Sequence, residues 1–223
     1  MGAQRVAAGG PSSDRVRLRR RRDRGSHDRE TIDAILDEAL IAHVGIVQDG
    51  QPFVIPTLHA RAGDVVYLHG SVASRTIRAM AGGAPMCLTV SLIDGLVLAR
   101  SAMHHSANYR SAVLLGRGRP VTDPEELLAG FEAVVERLVP GRWSDVRPPT
   151  EQELRATALV ALPIDEASAK VRSGGPVDDE EDYALPAWAG VIPLSMQAGP
   201  ARADARLPDG VPVPGYVSGW PRR

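Results

Sequence analysis

PFVIPTLHARAGDVVYLHGSVASRTIRAMA, residues 52–81, reads as two strands joined by a tight turn and running straight into a short helix. In the first strand Val54, Leu58 and Ala60 fall on one side, with Ile55, Thr57 and His59 on the other. In the second, Val66 and Leu68 alternate with Tyr67 and His69. This two-residue period belongs to pleated strands with one apolar and one semi-polar face. Ala62-Gly63-Asp64 places a glycine where a hairpin loop commonly needs positive φ. A turn centred near Gly63 would set Thr57 opposite His69 and His59 opposite Tyr67, and a slip of one residue would undo that pairing. Gly70 permits close approach to a ligand, and Ser71 or Ser74 can cap the helix that carries Arg75 and Arg78. A helix start with free N–H groups, two hydroxyls and a guanidinium offers the donors that a phosphate monoester takes. An ordinary capped helix after a hairpin accounts for the same residues.

Upstream, Asp28 is placed to cap a helix whose apolar residues Ile32, Ile35, Leu36, Ala39 and Leu40 follow the i, i+3, i+4 rule. Residues 41–47 form a strand, and Asp49-Gly50 is a strong hairpin signal before the stretch quoted above. Downstream, Gly82-Gly83 ends the short helix, residues 86–93 and 96–101 read as two strands, and Asp94-Gly95 reads as the turn between them. Short strands separated by X-Gly turns, with few helices between, point to an antiparallel barrel. The segment SAMHHSANYRS then brings polar groups into the strands. Asn108, Tyr109, Arg110 and Ser111 are donors suited to a polar ring edge or a phosphate, or simply to a well-bonded loop. Asp123-Pro124 opens a packing helix, Thr150 and Glu153 form a capping box, and residues 157–164 are the last clear strand.

With 223 residues and a net charge of −1, the chain fits one domain with appendages and has no global electrostatic pull toward nucleic acid or a membrane. Lys170 is its single lysine. Residues 1–24 are Arg-rich and aperiodic and are expected to be a disordered arm. Residues 197–223, rich in Pro and Gly, are expected to be a disordered tail with Trp220 as its one anchor. The domain proper is then 25–196. The lone Cys87 excludes an intrachain disulfide, reads as a core residue and suits a reducing cytoplasm. No apolar run approaches the ~18 residues of a spanning helix. His104 and His105 are adjacent and so point different ways, and no carboxylate is spaced to complete a zinc set; no metal is expected. A hydrolase built from Ser71 or Ser106 with His104 or His105 lacks the G-x-S-x-G elbow. No catalytic residue can be named.

The order helix, DG hairpin, V-I-P-T, Y-L-H-G-S-x-x-S-R, helix, M-C-L-T-V, D-G-L-V-L-A-R-S, H-H-S-x-N-Y-R-S and V-x-G-R resembles the pyridoxamine 5′-phosphate oxidase-like split barrels that bind FMN. The flavin-nucleotide-binding branch, related to nitroimidazole-resistance proteins, is the most similar. The resemblance implies a mainly β fold with flanking helices, a six-stranded antiparallel split β-barrel that forms a homodimer with FMN between its subunits. Val54, Ile55, Pro56 and Thr57 would run along the isoalloxazine. His69, Gly70, Ser71, Ser74 and Arg75 would surround the ribityl phosphate, and Asn108, Tyr109, Arg110 and Ser111 would complete the site from the neighbouring subunit. The lysine-bearing phosphate motif and closing substrate signature of true pyridoxamine phosphate oxidases are missing, which argues against vitamin B6 oxidation. The expected activity is two-electron or hydride transfer to a small organic substrate, the flavin itself doing the redox step. Its rivals are a carrier that holds flavin, deazaflavin or haem without turnover, and a nucleic-acid-associated protein using the basic arm.

Overall fold

The computed structural model describes residues 10–220. Its elements are β1 (Gly25–Ser26), α1 (Arg29–Glu38), β2 (Ile41–Gln48), β3 (Gln51–Leu58), β4 (Ala60–Ala62), β5 (Val65–Ser71), α2 (Arg75–Ala81), β6 (Pro85–Leu98), β7 (Ser106–Arg117), β8 (Arg119–Pro120), α3 (Pro124–Leu138), α4 (Glu151–Ala156), β9 (Thr157–Pro163), β10 (Glu166–Arg172), β11 (Gly190–Pro193) and α5 (Gly215–Ser218). The strands make two antiparallel sheets. One runs β1-β10-β7-β6-β2-β3, with β11 added on β6, and the other runs β4-β5-β9-β8. The chain passes from one sheet to the other at four places: β3 to β4 through His59, β5 to β6 through α2, β7 to β8 through Gly118, and β9 to β10. The sheets thus wrap one interior without closing on each other, which is the split barrel.

That interior is built by alternation. Ala42, Val44 and Ile46 of β2, Leu88 and Val90 of β6, Ala112 and Leu114 of β7, and Val160 and Leu162 of β9 point into one cluster, covered by Ile32, Ile35 and Leu36 of α1 and Ile77 and Met80 of α2. Each buried aliphatic side chain there contributes about 1.5–3 kcal/mol. A second cluster lies outside the smaller sheet, where Tyr67, Leu159 and Ala161 pack under Phe131 and Val134 of α3. Gly118 sits where the sheets crowd together, since a Cβ there would lie 2.5 Å from Val160 Cγ1 and 3.0 Å from the Met80 carbonyl.

Local signals hold where they were strongest. Asp49 (φ 52°) and Gly50 (φ 75°) form the hairpin turn, and Gln48 pairs with Gln51. Asp28 accepts from the Thr31 N–H, Asp123 from that of Glu126, and Thr150 and Glu153 make the capping box. Counting hydrogen-bonded pairs outward from Gln48 and Gln51 turns the backbone nitrogens of residues 52, 54, 56 and 58 away from β2. Prolines occupy the first and third of these. On that side β3 has no ladder partner among the described residues.

Several expectations need correction. The hairpin of residues 52–71 is not one ladder. The first strand breaks at His59, so Thr57 pairs with Ala42 in the larger sheet and it is Ala60, not His59, that faces Tyr67. His59 is buried in the corner, its Nε2 3.0 Å from the Leu36 carbonyl. Asp94-Gly95 is not a turn but a register shift within the 14-residue β6, whose second half is held between β7 and β11. Residues 157–164 are not the last strand, for β10 follows and pairs with β7 along its whole length. Cys87 alternates outward, half-buried, with Sγ 3.6 Å from Thr89 Oγ1. Gly70 also packs closely on α2, since a Cβ there would come 2.9 Å from Ile77 Cγ1.

Residues 1–9 of the expected arm and 221–223 of the expected tail lie outside the described residues. Within residues 10–24, Val16 is buried and Arg15 pairs with Glu166 at 3.2 Å. In the tail, Trp220 Nε1 donates to the Leu138 carbonyl and Tyr216 donates to Asp145 at 2.5 Å. A cavity of about 910 Å³ opens there between Val139, Met196, Val213 and Trp220. Among the described residues no helix is long and apolar enough to cross a membrane.

Candidate functional site

The break at His59 creates the candidate site. β3 stays with the larger sheet while β5 leaves with the smaller, and the seam between them opens toward the start of α2. Val54, Ile55, Pro56 and Thr57 lie on the edge strand beside the seam and alternate between its two faces, with Val54 64% and Ile55 39% exposed. Thr57 Oγ1 lies 3.3 Å from the Leu58 carbonyl. His69, Gly70 and Ser71 end β5 on the other side, and Ser74 and Arg75 begin α2.

The serines hold the α2 entrance in shape. Ser74 Oγ accepts from the Ile77 N–H at 3.4 Å, and Ser71 Oγ accepts from the Ala73 N–H at 3.2 Å. Each hydroxyl proton is left to donate. Arg75 bridges the seam, its guanidinium 4.2 Å from the centroid of the Phe53 ring on β3. Many arginines of this chain rest on carboxylates, such as Arg29 on Asp33 at 2.6 Å and Arg119 on Glu126 at 2.6 Å. Arg75 has no carboxylate partner among the described residues. Its charge is held in place by a ring instead of being neutralised. Phe53 is a residue of the candidate site that sequence reasoning missed; it stands at the edge of the quoted stretch, but nothing local links it to Arg75. His69 is half-buried, its Nδ1 has no hydrogen-bond partner, and burial alone holds its pKa below the ordinary imidazole value.

Asn108, Tyr109, Arg110 and Ser111 are not brought to the seam of the same chain. The register puts Phe53 in a row with Ile46, Met86 and Gly116, whereas Ser111 lies five residues further along β7 and three strands across. At ~3.4 Å per residue and ~4.8 Å per strand, the separation along the sheet is on the order of 20 Å. Arg110 is moreover engaged. It donates to Asp94 at 2.9 and 2.7 Å and to Glu38 at 2.8 Å, with a second, shorter bond to Glu38, and these bonds raise its pKa further above the usual guanidinium value. Ser111 Oγ donates to the Lys170 carbonyl at 3.4 Å, and Asn108 is buried against Gly174 and Arg172.

A further cluster was invisible in linear spacing. His104 lies beside an acidic turn, and its ligand atom and those of Asp179 and Asp182 fall within 4.8 Å of one another. Asp178, buried behind them, accepts from the backbone and side chain of Arg100, both at 3.0 Å. The histidine and the acids are more than 70 residues apart in the chain, so no spacing rule connects them.

Comparison with known proteins adds what geometry alone does not. The pyridoxamine 5′-phosphate oxidase family profile matches residues 28–171. The chain belongs to the pyridoxamine 5′-phosphate oxidase-like family. Among solved structures of this fold, the flavocytochrome Anf3 from Azotobacter vinelandii is 46% identical, with a TM-score of 0.89 over 94% of this chain and 97% of its own. The FAD and haem binding protein from Mycobacterium smegmatis is 39% identical, with a TM-score of 0.85 over 88% and 96%. A putative 5-nitroimidazole antibiotic resistance protein from Bacteroides thetaiotaomicron shares the fold at 24% identity, with a TM-score of 0.56 over 66% and 86%. No curated protein matches the sequence. In this pyridoxamine 5′-phosphate oxidase-like chain the matched span takes in β2 to β10 and hence both walls of the seam.

Proposed function

We propose that this chain is a flavin-dependent oxidoreductase that binds a flavin nucleotide, FMN at minimum, along the seam between β3 and the start of α2. The observation that carries the reading is Arg75: a guanidinium without a carboxylate partner, fixed over Phe53 beside two serine hydroxyls. Such a group suits a phosphate ester, which takes charge-assisted hydrogen bonds in a directed geometry. The exposed edge strand carrying Val54, Ile55, Pro56 and Thr57 suits an isoalloxazine running along it, with His69 and Gly70 at the phosphate end. The flavin supplies hydride or electron-pair transfer when bound, and the protein binds, orients and shields it. Its substrate is a small organic molecule.

The separation of Asn108, Tyr109, Arg110 and Ser111 from the seam supports a homodimer in which one chain's seam meets this group from its partner. Arg110, saturated by Glu38 and Asp94, then acts by holding the strand in position. The single half-buried thiol suits the cytoplasm. Purified protein should be yellow and release FMN or FAD on denaturation; a colourless preparation that binds no added flavin overturns the reading.

A second reading adds haem to the flavin, as a redox partner or in a carrier without turnover. His69 favours it specifically, because burial favours the neutral form of its imidazole, which would be the form able to hold an iron. The names of the two most identical structures described above, a flavocytochrome and an FAD and haem binding protein, are in keeping with it. A Soret band that His69→Ala removes would support this; a Soret band that survives the change, or none in the wild type, would exclude His69 as a ligand.

A further inference from the structure

The outer end of β10 carries a buried positive charge that the chain does not balance. Arg172 is only 8% exposed. Its guanidinium donates to Asn108 Oδ1, to the Gly174 carbonyl at 3.5 Å and to the Gly175 carbonyl at 3.2 Å. All three acceptors are neutral, and Arg172 has no carboxylate partner among the described residues. Buried charges are ordinarily paired, as Arg100 is with Asp178 in the same protein.

The surroundings add to the imbalance. The tight turn Arg22–Arg24 packs on β10, and Gly25 pairs with Lys170, which sets the arginine turn beside Arg172. Burial, then the charge of Arg24, and more weakly that of Arg21, push the Arg172 pKa below its ordinary value, while Tyr109 acts the other way. Arg24 has only a distant partner, Asp23 at 3.9 Å. Arg21 holds a left-handed backbone, φ 54° and ψ 55°, an unusual conformation for a residue with a side chain. Such outliers persist where the surrounding structure or a ligand requires them.

We propose that Arg172, Arg24 and Arg21 form a second anion site, which takes the phosphate groups of a nucleotide. Guanidiniums present paired donors to phosphate oxygens, and a diphosphate would neutralise most of the positive charge gathered here. Two sources share that chemistry. One is the adenylate half of a dinucleotide flavin held at the partner chain's seam, because within one chain Arg172 lies on the order of 30 Å along the sheet from Phe53 and Arg75; this source rests on the flavin and homodimer readings. The other is a separate nucleotide, which does not.

The test compares full-length wild-type protein with Arg24→Ala and Arg172→Gln, measuring the flavin that copurifies and the affinity for added ADP by calorimetry. Arg24 is partly exposed and weakly paired, so its replacement keeps the fold even if Arg172→Gln does not. If the dinucleotide is the occupant, wild type carries FAD and the variants carry FMN instead at unchanged total flavin. If a separate nucleotide is the occupant, wild type binds ADP, and each variant binds it about tenfold or more weakly. Unchanged FAD content together with ADP affinity that is unaffected or absent overturns the proposal. Protein without any flavin would sink the oxidoreductase reading while the ADP measurement still decided this one.

Discussion

Replacing Arg75 by alanine should separate phosphorylated flavins from riboflavin. In the folded chain Arg75 contributes little besides its contact with Phe53 at 4.2 Å, and a cation over an exposed ring is worth about 0.5–1 kcal/mol. Ser74 still caps α2, since the bond from the Ile77 N–H to its hydroxyl does not involve residue 75's side chain. The melting temperature should therefore fall by no more than about 2–4 °C. A charge-assisted contact to phosphate contributes about 1.5–3 kcal/mol, so FMN affinity should drop about ten- to hundredfold. Riboflavin lacks the phosphate and should lose less than about threefold. Arg75→Lys keeps the charge but not the planar stack, and should fall between wild type and alanine. Titrations followed by flavin fluorescence at low ionic strength, where a surface charge is least screened, give the ratio directly. Equal losses for FMN and riboflavin, or none for either, would refute the placement of the phosphate at α2.

Gly130 on α3 faces Leu159: an alanine Cβ would lie 2.2 Å from Leu159 Cδ2. Gly130→Ala should therefore cost about 1–3 kcal/mol by overpacking, despite the ~1 kcal/mol that alanine gains in a helix. In a Leu159→Ala background the same change should become neutral or stabilising; a denaturant double-mutant cycle with no coupling would contradict this contact. Arg110→Met should lower the unfolding free energy by about 1–2 kcal/mol, a partly screened loss that leaves Asp94 and Glu38 without their cation; an unchanged unfolding free energy would show that the network is idle. Glu153 is held at about 2 by Arg147, with help from the Thr150 N–H and hydroxyl. Its folded pKa lies below the unfolded value, so its contribution is complete above pH ~4.5 and disappears as pH falls toward 2. Glu153→Gln should thus be less stable than wild type at pH 7 and equal to it near pH 2; a gap that persists in acid would refute the assignment.

What could be read from the sequence was what neighbouring residues decide among themselves. Asp49-Gly50, the cap at Asp28, the helix opening at Asp123-Pro124 and the Thr150–Glu153 box each need only a few consecutive residues and form as read, and of the two serines offered as the α2 cap Ser74 is the one used. The seam was partly legible for the same reason, because its two walls and the α2 entrance follow one another within residues 52–75. β10 was not. Its inward residues Ala167 and Ala169 are small and weakly strand-forming, and only the pocket left by α1 and β7 makes them a buried face. The break at His59 also escaped, since a strand shared by two sheets keeps the same alternation as a continuous one. Arg75 on Phe53, Arg172 on Asn108 and Arg110 on Glu38 join residues between 22 and 72 positions apart, and only the closed fold brings them together.

Pro52 and Pro56 have a consequence for how copies of the protein can meet. A foreign strand sliding up to β3 would find amide protons only at Val54 and Leu58 across eight residues, too few to zip into a continuous ribbon. Association along this margin has to proceed through side chains, which makes it reversible and shape-selective. The flank beside the seam can therefore stay bare in a crowded cell without seeding fibres.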